Sequence, residues 1–190
     1  EFLPTDEQLN DRVSRGQPIW TRPELAVLIC YSKVVLKEAL LEADLLDDQV
    51  LAESVNRAFP AQLVENYAAD VAVHQLRREI AATQLANDMV DRVGFTFFFR
   101  QMESTGASGA DIVRAFCISM HILDIDKLWL QIENSQDNLS ATVRLDLLHI
   151  LMRVVRRSSR WLLRNRRLNL HCSEMIEAMT GPTQSVLENL

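Results

Sequence analysis

Glycine and proline are scarce, five of each in 190 residues, and nearly all sit where a helix would start or stop. Such a chain has little material for tight hairpins or phosphate-cradling loops. Cysteine is rarer still. Cys30, Cys117 and Cys172 are far apart and odd in number. That excludes a disulfide framework and points to a reducing compartment, the cytoplasm. Long apolar runs are missing too. Leu25 to Tyr31 is among the longest, far short of the ~20 residues that a membrane-spanning helix needs. No stretch has the charged start and apolar middle of a signal peptide. Nor is there an initiating Met or a clear stop, so the chain reads as a piece of something longer.

What is present is apolar residues at helical spacing. Thr5 with Gln8 forms one expected capping box, and Gly16 ends that helix. Thr21 with Glu24 forms a second, with Pro23 in the first turn, where its missing N–H costs nothing. Leu25, Leu28, Ile29, Val35, Leu36, Ala39 and Leu40 then recur at steps of three and four, a wide buried face. Asp47 is expected to cap a short helix ending at Phe59, before Pro60. Leu63, Tyr67 and Val71, then Leu76, Ile80, Leu85, Met89 and Val93, make two helices with a joint near His74, or one continuous helix, ending at Gly94. Thr83, Gln84 and Asn87 are polar residues inside that pattern; if buried, they must find hydrogen bonds.

Phe95-Thr96-Phe97-Phe98-Phe99 has the propensity of a strand. No partner strand occurs elsewhere and a lone strand is not stable, so it is assigned to helix. Ser108 with Asp111 caps the next helix, Asp124 caps Ile125 to Glu133, and Ser140 starts the longest, about residues 141 to 166. Ser173 caps a last helix that ends at Gly181-Pro182. The fold class is therefore all-α: a bundle of about seven to nine helices with short connections and no sheet. It is read as one domain over residues 1–190, with 1–94 and 95–190 as two packed halves the other division.

The charge is uneven. Residues 1–70 hold 13 acids and 6 bases, while residues 141–190 hold 4 acids and 8 bases, within a net −6. On the longest helix Arg153, Arg156, Arg157, Arg160 and Arg164 fall within roughly a third of the circumference. Leu147, Leu151, Val154, Val155, Ser158, Trp161 and Leu162 fall on the other side, and Ser158 would let a neighbouring helix come close. The arginines could hold an anion, an acidic partner or nucleic acid, or simply face water. An acidic chain with Trp161 on the apolar side fits nucleic acid poorly.

Gly106 and Gly109 follow no strand and match no dinucleotide fingerprint; no P-loop is present. Cys117 and His121 share a helix face, and His171 and Cys172 are adjacent, but neither pair has a second pair to complete a zinc site. Asp47-Asp48 lacks the further acids of a magnesium-binding diphosphate motif, and like Asp124 and Asp126 it reads as capping. No catalytic, cofactor or metal residue emerges.

Several runs, however, resemble a known family. Thr21-Arg22-Pro23-Glu24-Leu25-Ala26-Val27-Leu28 resembles a segment of the large bacterial NAD-specific glutamate dehydrogenases. So do Leu76-Arg77-Arg78-Glu79-Ile80 followed by Ala82-Thr83-Gln84-Leu85-Ala86-Asn87, then Thr105-Gly106-Ala107-Ser108, and Arg160-Trp161-Leu162-Leu163-Arg164-Asn165-Arg166-Arg167. Order and spacing fit across about residues 19–167. The resemblance implies a parent that oxidatively deaminates L-glutamate to 2-oxoglutarate and ammonia and reduces NAD, with both sites upstream of this C-terminal helical segment. It implies a homo-oligomer in which this segment is a structural, assembly or regulatory accessory. Arg77, Arg78, Asn87 and Arg100, polar positions in or near the matching runs, are the expected interdomain contacts. The other reading is a free helical adaptor that binds nucleic acid or an acidic partner through Arg153 to Arg164. Apolar faces that a parent covers would drive the excised piece to self-associate.

Overall fold

Side-chain caps set the first two helices in the computed structural model, which describes residues 3–42, 53–135, 139–166 and 170–188. Thr5 is extended, accepts from Gln8 N at 3.4 Å and donates its own N–H to Gln8 Oε1 at 3.0 Å. That starts α1 (Asp6–Ser14), and Gly16 at φ 67° ends its tail. Thr21 repeats the box with Glu24, at 2.7 and 3.5 Å, to start α2 (Arg22–Glu42). Glu24 has a second task. Arg12 of α1 grips both its carboxylate oxygens, at 2.8 and 2.7 Å, and also donates to the Ile19 carbonyl at 3.0 Å. Since α1 buries no residue, this forked ion pair is what fastens it to α2.

The 3-10 turn Glu53–Ala58 leads to Phe59 and Pro60. The expected Asp47 cap lies outside the described residues. The stretch after Pro60 is not one helix. It breaks at Tyr67 (φ −132°, ψ 35°) into α3 (Ala61–Asn66) and α4 (Ala68–Ala72), and again at the expected joint, where His74 Nδ1 accepts from Leu76 N at 3.1 Å. α5 (Arg77–Val93) then packs on α2, burying Ala81, Ala82, Leu85, Ala86, Met89, Val90 and Val93. The ion pair Lys33–Asp91 (2.9 Å) ties the two across their rim.

The phenylalanine-rich run is helical from Phe97 on. Phe95 and Thr96 form the turn before α6 (Phe97–Thr105), and Phe97 and Phe98 enter the core. Gly106 ends α6 in the left-handed region, and the Ser108 hydroxyl accepts from Asp111 N at 3.2 Å to start α7 (Gly109–Ile122). Nine of the fourteen residues of α7 are buried, around most of its circumference. It is the central helix, touched by α2, α6, α8 (Ile125–Asn134), α9 (Ala141–Asn165) and α10 (Cys172–Glu188). Among the described residues there are ten helices, eight of them nine residues or longer, and no strand.

Three local expectations fail. Asp124 occupies the N-cap position of α8, but at φ 48° it makes no side-chain cap bond; a capping residue needs extended backbone. Its left-handed conformation instead turns the chain sharply between α7 and α8, and its carboxylate lies 3.6 Å from Lys127. α10 starts at Cys172 rather than after Ser173, and runs through Gly181 and Pro182. Pro182 removes the donor that Ala178 would have used, a cost lessened because Ala178, Gly181 and Pro182 are all exposed to water. Finally, Ser159, not Ser158, is the small residue at the α9–α7 contact. Its Oγ lies 3.2 Å from Ser119 Oγ, both serines fully buried, while Ser158 is half-exposed. One residue is a turn of roughly 100°, so the buried face of α9 is rotated from the expected one.

The forked pair has a pH signature. Arg12, then the Thr21 N–H, hold the Glu24 carboxyl well below its ordinary 4.5, to about 2. A lowered folded-state pKa stabilises the fold fully above the unfolded value, and that contribution disappears as pH falls from about 4.5 through about 2. NMR titration of the Glu24 carboxyl should show this low midpoint, and Arg12→Gln should raise it toward 4.5. A Glu24 midpoint insensitive to Arg12→Gln contradicts the assignment.

Candidate functional site

The arginine face of α9 is the strongest charge feature of the sequence, and the structure divides it. Arg153, Arg157, Arg160 and Arg164 are exposed along one edge of the helix. Arg156 is not with them. It is half-buried, and its Nε donates to the Val93 carbonyl at 2.8 Å, with Nη2 on the same oxygen. Val93 ends α5, where the last carbonyls have no helical donor. Gly94 follows at φ 85°, ψ 152°, a region open essentially to glycine alone. A Cβ on Gly94 would stand 2.9 Å from Arg156 Nη2. Gly94 thus turns the chain and leaves room for the guanidinium. Burial, and then the nearby positive charge of Arg100 on α6, push the Arg156 guanidinium below its ordinary pKa.

Of the expected site residues, Arg100 and Arg156 are therefore brought together at this end of the bundle. The others do not converge. Arg78 is exposed and reaches the Leu41 carbonyl in the last turn of α2 at 3.5 Å, a second helix end served by an arginine. Arg77 and Asn87 are half-buried on α5. At roughly 100° per residue Arg78 and Asn87 point to opposite sides of the helix, so these three share no surface. Thr83 is exposed and donates to the Glu79 carbonyl at 2.7 Å; Gln84 is half-buried.

A cleft of about 440 Å³ opens between the 3-10 turn, α5, α7 and the start of α8. Its apolar wall is Leu85, Phe116 and Met120; its polar wall is Arg57, Asp88, Arg92 and Asp126. Arg57 pairs with Asp88 at 2.8 Å and Arg92 with Asp126 at 3.1 Å. The Arg92 guanidinium also lies 4.3 Å over the Trp129 ring, a cation–π contact. Burial raises the Asp88 carboxyl above its ordinary value, against the opposing pull of Arg57. The two acids and two bases neutralise one another and fasten the 3-10 turn and α8 to α5. Sequence reading missed this cluster. Asp88 and Arg92 are four apart and look like a pair within one helix, yet each binds a partner on another element. Cys117 is a buried thiol and His121 an exposed ring, with His121 Nδ1 3.0 Å from the Cys117 carbonyl. Among the described residues no three His, Cys, Asp or Glu side chains are grouped to hold a metal.

Gly106 and Gly109 do not form a dinucleotide-binding turn. Gly106 terminates α6, and a Cβ on Gly109 would press on the Phe98 ring at 3.1 Å, so both glycines serve helix ends and packing rather than a pyrophosphate cradle. Among the described residues no helix is long and apolar enough to cross a membrane.

Comparison with known proteins matches the chain, over residues 18–190, to the family described as "Glutamate dehydrogenase, C-terminal". The NAD-specific glutamate dehydrogenase of Halomonas elongata is 46% identical over 166 residues, 87% of this chain and 10% of the relative. That of Pseudomonas aeruginosa is 43% identical over 187 residues, 98% of this chain and 11% of the relative. That of Mycobacterium tuberculosis is 36% identical over 166 residues, 87% of this chain and 10% of the relative. The chain thus spans about a tenth of the length of these relatives.

The division of the α9 arginines can be read out by stability. Arg156→Met should cost roughly 1.5–3 kcal/mol, the range for a charge-assisted hydrogen bond lost to a helix end. Gly94→Ala should cost about 1–3 kcal/mol through backbone strain. Arg157→Met, on the exposed edge, should stay within about 0.5 kcal/mol. Urea melts of the three variants check the order, and equal losses for Arg156 and Arg157 would contradict it.

Proposed function

Because this chain belongs to the glutamate dehydrogenase C-terminal family, we propose that it is a non-catalytic helical accessory domain of an NAD-dependent glutamate dehydrogenase. The whole enzyme oxidatively deaminates L-glutamate to 2-oxoglutarate and ammonia and reduces NAD, in the cytoplasm. The glutamate and NAD sites belong to the rest of the polypeptide. The observation that carries this reading is one of extent: a match across nearly the whole chain accounts for about a tenth of the relatives named for the activity. The cleft supports it, since its charged groups are committed to one another. In this role the domain packs on the catalytic region of its own chain or on another subunit of a homo-oligomer, and sets stability, assembly or regulation.

Two measurements test this. The 190-residue chain alone should show no NAD binding by calorimetry and no glutamate-dependent formation of NADH. The full-length enzyme lacking residues 18–190 should lose activity or change its oligomer size. Micromolar NAD affinity of the isolated chain, or unchanged kinetics and unchanged size of the truncated enzyme, overturns the proposal.

A further inference from the structure

α9 is apolar on two opposite sides. Val155, Ser159, Leu162 and Leu163 face the bundle. On the far side Val143, Ile150, Val154 and Trp161 are 43, 43, 37 and 48% exposed. Their spacing of seven, four and seven residues puts them within roughly 40° of one another, on a line about 27 Å long. Leu147, half-buried, falls between them. Single exposed apolar residues are ordinary, but a continuous line of them marks a surface that something covers. α5, α6, α7 and α8 hold the other sides of α9.

The charges beside the line say what kind of partner fits. Arg157 and Arg164 lie next to it, with Arg153 and Arg160 one step further round, all exposed. The only acid within α9 is Asp146. A second copy of α9 laid against this face would set four arginines against four, with one aspartate each to relieve them. Nucleic acid would engage the arginines but leave Val143, Ile150 and Val154 without a role. A helix with one apolar face and a row of Asp or Glu along its edge satisfies both features at once. We propose that the outward face of α9 docks an acidic amphipathic helix contributed by the rest of the dehydrogenase polypeptide. This rests on the accessory reading above, in which that polypeptide supplies about nine-tenths of the enzyme.

The test is made in the full-length enzyme. A photo-crosslinking benzoylphenylalanine replaces Ile150, and the captured peptide is sequenced. A peptide from outside this chain's 190 residues, with helically spaced apolar residues and several acids on one edge, is the expected result. Val154→Glu in the same background should cut the cross-link about tenfold or more, because a carboxylate would be buried against the partner. Arg157→Glu with Arg164→Glu should do the same, and Arg157→Lys with Arg164→Lys should largely restore it. Capture of α9 from another subunit, of a peptide without acids, of bound nucleic acid, or no capture at all, overturns the proposal. The two readings fail separately. If Ile150 captures the wrong peptide while loss of residues 18–190 still disrupts the enzyme, only the docking surface is wrong. If the acidic helix is captured but that truncation leaves kinetics and size unchanged, only the accessory role is wrong.

Discussion

A helix buried around most of its circumference cannot stand at a surface, and Gly109–Ile122 is such a helix. Its need for cover arranges most of the molecule. α2 and α6 close it from the amino-terminal side of the chain, α9 and α10 from the carboxy-terminal side, and α8 folds back on it directly. Two buried hydroxyls, Ser119 and Ser159, let α9 approach closely; each is bonded to a carbonyl of its own helix, at 2.7 and 2.8 Å. The close contact therefore leaves no polar group stranded.

Where helices end, arginine does what glycine alone cannot. Gly94 reverses the chain after α5, but the free carbonyl of Val93 still needs a donor and finds Arg156 from sixty-three residues away. Arg78 reaches Leu41 in the same way. Arg12, Arg57 and Arg92 serve carboxylates on other elements. Much of the positive charge is thus internal fastening, and the arginines left on the surface are concentrated on α9.

The helix starts were legible because a cap is written within four residues. Thr5, Thr21, Ser108 and Ser140 each carry their own acceptor for an N–H three positions on. Residues that act across the fold were not legible. Arg156 sits in an arginine pattern, and nothing local says that it leaves the pattern to hold Val93. The cluster of Arg57, Asp88, Arg92 and Asp126 comes from three elements with no spacing to announce it. Trp161 was expected on the covered side and is half exposed, because the true inner face is centred on Val155 and Ser159. Asp124 looked like a cap since its side chain suits one; only the backbone angle decides otherwise. The family, by contrast, was readable from runs such as Thr21 to Leu28, and the match over residues 18–190 agrees.

An unbroken rod held at several points along its length cannot roll at one without rolling at all. α9 carries Arg156 on its inner side and the line from Val143 to Trp161 on its outer side. Any twist about its axis that re-aimed the outer line would drag the guanidinium off the Val93 oxygen. It would also slide Ser159 past Ser119. The orientation of the outer surface is therefore clamped by the interior, and a body seated there meets a rigid bar rather than a yielding one.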